Sequence, residues 1–145
     1  MWKYDDGGRK EAGFRGSAGD CFCRAVAIAA EIPYGEVYER LVPVCDKEKP
    51  SKTRKGKSHP RTGVHVHTAK KFMKELGWEW KATMGIGTGC TVHLRADELP
   101  KGRIICRVSR HYVAVVDGIV IDTHDSTRGG ARCVYGYWYR LNSEQ

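Results

Sequence analysis

The first hydrophobic segment of the chain is apolar on nearly every side. Residues 20–30 run Asp-Cys-Phe-Cys-Arg-Ala-Val-Ala-Ile-Ala-Ala, and a helix without a polar stripe belongs in the centre of a domain. Pro33 predicts the end of this helix, because the residue before a proline avoids helical angles. Cys21 lies in the first turn, where the positive end of the helix dipole favours thiolate over thiol. The pattern therefore predicts a central helix that carries a candidate nucleophile.

Two further segments in the N-terminal half have the apolar spacing of helices. In residues 34–42, one stripe is formed by Val37, Tyr38 and Leu41. In residues 67–76, a core face is formed by Ala69, Phe72, Met73 and Leu76, and Gly77 supplies the stop. Residues 1–19 are polar and rich in glycine, which predicts irregular structure.

The second half of the chain consists of short segments rich in β-branched and aromatic residues. These predict strands at residues 78–83, 103–108, 111–116, 119–124 and 134–139, with a short helical turn at residues 95–102. Helices followed by strands indicate the α+β class, with the central N-terminal helix packed on a four- to five-stranded antiparallel sheet. At 145 residues, the chain is expected to form a single domain over residues 1–145.

A turn in the second half predicts the register of two strands. Asp117-Gly118 stands between two apolar segments, and Asp-Gly is favoured in a two-residue type I′ hairpin. This turn pairs Val115 with Val120, and the pairing of the two strands continues residue by residue away from the turn. Because alternate side chains share a face, one face should then carry His111, Val113, Val115, Val120, Asp122 and His124. His111 and Asp122 become diagonal neighbours within reach of each other.

A histidine and a carboxylate on one apolar face have a chemical use. The carboxylate orients the imidazole and raises its basicity, so that it can take a proton from a nucleophile near neutral pH. If the central helix packs on that face, Cys21, His111 and Asp122 form a nucleophile, a base and an orienting group. The backbone N–H groups of Cys21 and Phe22 are candidates for an oxyanion hole. His124 is an alternative partner for His111.

Composition narrows the possible classes of protein. The net charge is +8, of which +6 lies within residues 47–61, a basic stretch whose prolines, glycine and serines predict a flexible loop. A solvated loop is the favoured interpretation; contact with nucleic acid through it would be weak, nonspecific and sensitive to salt. No apolar run approaches the length of a membrane span.

The six cysteines and six histidines do not predict a metal site or a cofactor. Cys21-x-Cys23 and His65-x-His67 lack the spacings of structural zinc, although His65 and His67 would share a face on a strand. The polar N-terminus lacks a signal-peptide core, so all six thiols are expected to be reduced and the protein cytoplasmic.

The candidate residues resemble a known family. Gly19-Asp20-Cys21 at the start of a buried helix, His111-Tyr112-Val113-Ala114-Val115-Val116 and Ile121-Asp122 resemble the papain-like cysteine peptidase superfamily, especially its small bacterial branch. The chain is also similar to small phage or prophage proteins of unassigned function. The resemblance implies a papain-like fold in a bacterial or phage-infected cell, with Cys21 as nucleophile, His111 as general base and acid, and Asp122 as orienter.

One position departs from the pattern of that superfamily. Its members usually have a glutamine about six residues before the nucleophile to complete the oxyanion hole, and here that position is Arg15. Arg15 itself or Ser17 is the candidate replacement. Three functions follow: a cysteine hydrolase acting on a peptide or protein substrate, an inactive papain-like module that binds a host protein, or a nucleic-acid binder that uses residues 47–61.

Overall fold

The protein has the predicted α+β class. The structure, a computed structural model, describes residues 1–15, 19–49 and 56–140. These residues form three α-helices and six strands: α1 Cys21–Ala30, α2 Tyr34–Asp46, α3 Val66–Glu75, β1 Trp2–Tyr4, β2 Trp78–Ala82, β3 Arg103–Val108, β4 His111–Val116, β5 Ile119–Asp122 and β6 Gly136–Arg140. In the described part of the chain, no helix has the length and apolar character needed to cross a bilayer.

The sheet is larger than predicted and is mixed. Its strand order is β1-β5-β4-β3-β6-β2, and β1 pairs parallel to β5 whereas the other neighbours are antiparallel. The expectation of four or five antiparallel strands is therefore wrong, as is the irregular structure predicted for all of residues 1–19. β1 has only three residues, which is too short for a periodic signal, and its partner strand lies at the other end of the chain.

The hairpin of β4 and β5 confirms the predicted register. Val115 pairs with Val120, and the turn residues Asp117 and Gly118 have φ of 50° and 81°, the positive values that a type I′ turn requires. A side chain at Gly118 would also place a Cβ 2.7 Å from the Cβ of Ala96. Glycine is thus required here both by conformation and by space.

The two faces of the sheet contribute to separate hydrophobic cores. Tyr112 and Ala114 pack with α1, α2 and α3, whereas Val113 and Val115 face the opposite core with Leu94 and other residues. The expectation that the central helix packs on the face of Val113 and Val115 is wrong. Residues 112–116 of β4 are all apolar, so both faces of the strand can be buried. No local feature of the sequence indicates which face the helix covers.

Several element ends differ from the prediction. α2 continues through Pro43 to Asp46, so a proline that lacks the N–H donor of a helix lies in its last turn. The predicted helical turn in residues 95–102 is a single hydrogen-bonded turn, in which the Glu98 N–H donates to the Arg95 carbonyl at 3.1 Å. β5 ends at Asp122 rather than at residue 124. β6 begins at Gly136, where the side chain of Trp80 and the backbone of β2 leave no room for a Cβ.

The cysteines are not all reduced. Cys90 and Cys133 form a disulfide between the segment before β3 and the segment before β6, and Cys21, Cys23, Cys45 and Cys106 are free. The expectation of six reduced thiols is therefore wrong. The pairing was not indicated by spacing, because the two cysteines are 43 residues apart and meet only when the strands have assembled.

The basic loop is anchored at both of its described ends. Residues 50–55 of the predicted loop at 47–61 lie outside the described residues. At the near end, Glu48 accepts hydrogen bonds from the backbone and hydroxyl of Ser58 and from Thr68. At the far end, the Lys57 ammonium donates to the carbonyl of Asp46, at 3.0 Å. The ends of this stretch are thus part of the folded domain.

Candidate active site

Cys21 begins α1 and is half-buried. The preceding residue, Asp20, does not cap the helix with its side chain, so the N–H groups of Cys21 and Phe22 stay directed out of the helix start. Burial opposes ionisation of the thiol, but hydrogen bonds from His111 and the backbone of Tyr112 and the charge of Arg24 outweigh it. The pKa of Cys21 is therefore lowered.

His111 begins β4, is buried, and lies between Cys21 and Asp122. Its Nε2 is 2.6 Å from Asp122 Oδ2, and the Cys21 thiol lies close enough to the ring for the two groups to shift each other's pKa. Burial opposes the positive charge, yet the contacts with Asp122 and Cys21 raise the pKa of His111 to about 9. The lowered pKa of Cys21 and the raised pKa of His111 both favour a thiolate–imidazolium pair over a neutral thiol and imidazole.

Asp122 ends β5 and is buried among donors. Oδ2 accepts from His111 and from the Ser126 hydroxyl at 2.9 Å, and Oδ1 accepts from the Thr123 N–H at 2.7 Å. The Arg24 guanidinium lies 3.5 Å from Oδ1. Burial alone would raise the pKa of Asp122, but these hydrogen bonds and the charge of His111 hold it at about 2. Asp122 is thus a fixed carboxylate at neutral pH.

Arg24 joins the start of α1 to the end of β5. It is the one charged residue of that helix, and it pairs with both Asp20 and Asp122. Asp20 is 1% exposed and also accepts from the Tyr34 hydroxyl at 2.6 Å and pairs with Arg9 at 3.1 Å. This network holds the helix carrying the thiol against the strand carrying the carboxylate.

Sequence reasoning missed three of the groups that position the site. They are Arg24, Asp20 and Ser126. For the first two a signal existed: a single arginine in an apolar helix needs a partner, and Asp20 stands four residues before it. For Ser126 no signal existed, because its contact with Asp122 depends on the path of the chain after β5.

A cleft of about 450 Å³ opens on Cys21. One wall is formed by Thr62, Gly63, Val64 and His65, and the other by Arg107, Arg110 and Tyr112. The Tyr112 hydroxyl donates to the carbonyl of Val64 at 2.6 Å and so ties the walls together. At the base, a Cβ on Gly19 would lie 2.9 Å from the carbonyl oxygen of Thr62, so only glycine allows the wall to approach the helix start.

The remaining predicted site residues have different positions. Arg15 is exposed and lines a separate cavity, about 810 Å³, that does not include Cys21; the structure does not bring it to the cleft. Ser17 lies outside the described residues. Phe22 has a side chain buried in the core, so it offers only its N–H. His124 is exposed with Nδ1 4.0 Å from Asp122 Oδ1, and His111 takes Asp122 as its partner instead.

Three side chains of the site have atoms close enough to hold a metal ion. Ligand atoms of His111, Asp122 and His124 lie within 4.8 Å of one another. The adjacent Arg24 and the raised pKa of His111 oppose a cation there. His65 and His67, predicted to share a strand face, lie instead at the start of α3 with their rings 6.4 Å apart.

The arrangement has the chemical groups that nucleophilic acyl transfer uses: a thiol of lowered pKa, an imidazole of raised pKa, a carboxylate beside that imidazole, and the N–H groups of a helix start. Comparison of the chain with models of protein families, with curated proteins and with solved structures gave no match. The function is therefore argued from the geometry of the site.

Proposed function

We propose that the protein is a cysteine hydrolase that cleaves a peptide, amide or isopeptide bond. The observation that carries the proposal is the position of His111, whose Nε2 lies 2.6 Å from the Asp122 carboxylate and whose ring is near enough to Cys21 to lower the pKa of that thiol. Cys21 is the nucleophile, His111 the general acid and base, and Asp122 its orienter. The finer fold assignment, a papain-like domain with its site where the central helix meets the sheet, is part of this proposal.

The reaction proceeds in two steps. The Cys21 sulfur attacks the carbonyl carbon, and the charge passes to the carbonyl oxygen, which the N–H groups of Cys21 and Phe22 stabilise. The C–N bond breaks as the His111 imidazolium gives its proton to the leaving nitrogen, which leaves a thioester on Cys21. Neutral His111 then takes a proton from water, the hydroxide attacks the thioester, and acid and free thiolate are released.

Asp122 acts by holding His111 rather than by taking a proton. Its pKa of about 2 keeps it ionised throughout the cycle, so it stabilises the imidazolium and fixes the ring nitrogen that faces it. The second ring nitrogen is thereby directed to Cys21. Arg24 supports the same arrangement from α1, through its pairs with Asp20 and Asp122.

A second candidate function is an inactive module that binds a host protein. It is favoured by one observation: Arg15 occupies the place of the usual glutamine and lines a cavity apart from Cys21. In that case the pair of Cys21 and His111 is retained, but Arg15 supplies no oxyanion donor to the cleft. The two functions differ in turnover, not in the reactivity of the thiol.

Two measurements test the proposal. Iodoacetamide at pH 7 should alkylate Cys21 much faster than Cys23, Cys45 and Cys106, which are buried and whose pKa values burial raises. In a separate sample of unmodified protein, p-nitrophenyl acetate should acetylate Cys21 and be hydrolysed over many turnovers. Cys21→Ala is the control. Slow and uniform alkylation would contradict the reactive pair. Fast alkylation without turnover would favour the binding module.

A further inference from the structure

The cleft on Cys21 carries positive charge and no carboxylate. Its described lining residues include Lys57, Arg107 and Arg110, together with His65, and none of these described lining residues is an aspartate or glutamate. A substrate group beside the thiol therefore meets only positive or neutral side chains. Clefts lined by charge of one sign raise the local concentration of ligands of the opposite sign.

Arg107 is held in a fixed position on one wall. It pairs with Tyr112 across β3 and β4, and its guanidinium lies 5.1 Å from the ring centroid of Tyr112 and 6.0 Å from that of Tyr135. Nη1 donates to the carbonyl of Val108 at 3.1 Å. An arginine oriented in this way presents its remaining N–H groups as a planar fork, which suits the two oxygens of a carboxylate.

Arg110 stands beside His111 in the turn between β3 and β4. It is exposed, has φ of 56°, and makes no hydrogen bond or ion pair with any other part of the chain that the structure describes. Two arginines elsewhere in the domain pair with carboxylates: Arg24 with Asp20 and Asp122, and Arg103 with Glu31. The charge of Arg110 at the mouth of the cleft is thus left for a ligand.

We propose that this cleft binds a carboxylate of a peptide substrate, through Arg107 and Arg110, next to the bond that Cys21 attacks. The inference rests on the proposed function, because the cleft is defined by its opening on Cys21. The carboxylate belongs either to an acidic side chain beside the scissile bond or to a free C-terminus. Both present the same planar anion to the arginine pair.

The cleft is less suited to nucleic acid. Binding of single strands relies on aromatic faces on which bases stack. Among the described lining residues, the one large aromatic ring is that of Tyr112, which is buried beneath Arg107 and whose hydroxyl donates to the Val64 carbonyl. At about 450 Å³, the space accommodates a short peptide segment rather than a strand with several bases.

The test uses two alkylating agents of similar size and different charge on the full chain. Rates of Cys21 modification are measured with iodoacetate and with iodoacetamide, in wild type, in Arg107→Gln/Arg110→Gln, and in Arg110→Asn, since asparagine tolerates positive φ. The matched control is Arg40→Gln/Lys71→Gln, which removes two positive charges from a different groove. Thermal melting checks that each variant is folded.

We expect the iodoacetate-to-iodoacetamide rate ratio to fall about three- to ten-fold in the double variant and about two-fold in Arg110→Asn, because each charge acts across a few ångströms of water. The control should keep the wild-type ratio. An unchanged ratio in a folded double variant, with fast alkylation by both agents, would overturn the cleft assignment and leave the hydrolase proposal standing. Slow alkylation of wild type by both agents would instead overturn the hydrolase proposal.

Protection experiments identify the source of the anion. Cys21 is alkylated with iodoacetamide in the presence of a blocked peptide with an internal glutamate, a neutral peptide with a free C-terminus, or a short ribo-oligonucleotide. Protection by the first indicates an acidic side chain, and protection by the second a C-terminal carboxylate. Either should require Arg107 and Arg110. Protection by the oligonucleotide alone, or by no probe, would contradict the proposal.

Discussion

Replacement of Asp122 by asparagine separates the charge of the orienting group from its shape. Asparagine can still accept from His111 through its carbonyl oxygen, so the imidazole keeps a partner of the same size. Its amide nitrogen then takes the place of Oδ1, which in the wild type accepts from the Thr123 N–H and faces Arg24. This substitution therefore removes one negative charge and leaves the partly buried N–H of Thr123 without its acceptor.

The size of the effect follows from the pKa of His111. That pKa is raised from 6.5 to about 9, which corresponds to roughly 3 kcal/mol favouring the imidazolium. Burial opposes this charge, and the contacts with Asp122 and Cys21 favour it. We expect Asp122→Asn to remove about half of the total, so alkylation of Cys21 at pH 7 should slow about ten-fold. The unpaired N–H should cost about 1–3 kcal/mol of stability.

The assay is the rate of Cys21 alkylation by iodoacetamide between pH 5 and 10, followed by intact-mass spectrometry, with the free energy of unfolding measured in parallel. In the wild type, the alkylation rate should rise at a lower pH than for an ordinary cysteine, because the pKa of Cys21 is lowered. In Asp122→Asn the rise in rate should move to higher pH. The matched control is Asp125→Asn, which alters a nearby exposed carboxylate bound to Thr127.

One result would refute this reasoning. If folded Asp122→Asn protein is alkylated at the wild-type rate with the same pH profile, the carboxylate does not stabilise the thiolate–imidazolium pair. The 2.6 Å contact would then be structural only. A parallel loss in Asp125→Asn would likewise show that the effect is a general change of surface charge.

Three further substitutions test the supports of the site. Gly19→Ala should slow Cys21 alkylation and lower the melting temperature, because its Cβ would lie 2.9 Å from the Thr62 carbonyl oxygen; an unchanged rate would contradict the close approach. Cys133→Ser should lower the free energy of unfolding, measured in urea, by about 2–4 kcal/mol through loss of the Cys90 disulfide; the reductant-treated wild type should match it. Burial would raise the pKa of Glu48, but the hydrogen bonds that its carboxylate accepts from Ser58 and Thr68 outweigh burial and lower the pKa to about 2. Its contribution to stability should be complete above pH 4.5 and decline as the pH falls towards 2, and Glu48→Gln should weaken that pH dependence.

The local parts of the site were predictable from the chain. Asp117-Gly118 specifies a turn whose geometry allows one register, and that register places Asp122 rather than Asp125 next to His111. The start of the helix at Cys21 followed from the boundary between polar and apolar residues. These features depend on neighbours within about a dozen residues, so they can be read from spacing alone.

The parts that depend on distant contacts were not predictable. β4 has an apolar side chain on each face, for example Ala114 on one and Val113 on the other, and both are buried. The sequence of β4 therefore does not indicate which face α1 covers. β1 is a strand only because β5 offers it an edge. The pair of Arg24 and Asp122 joins residues 98 positions apart, and no pattern within either segment specifies it.

The order of elements along the chain has a consequence for synthesis. The thiol belongs to α1, but the residues that activate it belong to β4 and β5, and their carboxylate is fixed by Ser126. A growing chain therefore exposes Cys21 long before it has a base. We expect the nascent protein to be chemically inert until the hairpin has emerged and the sheet has closed. If the protein is the hydrolase proposed above, the separation of the nucleophile from its partners along the chain delays activity until folding is complete.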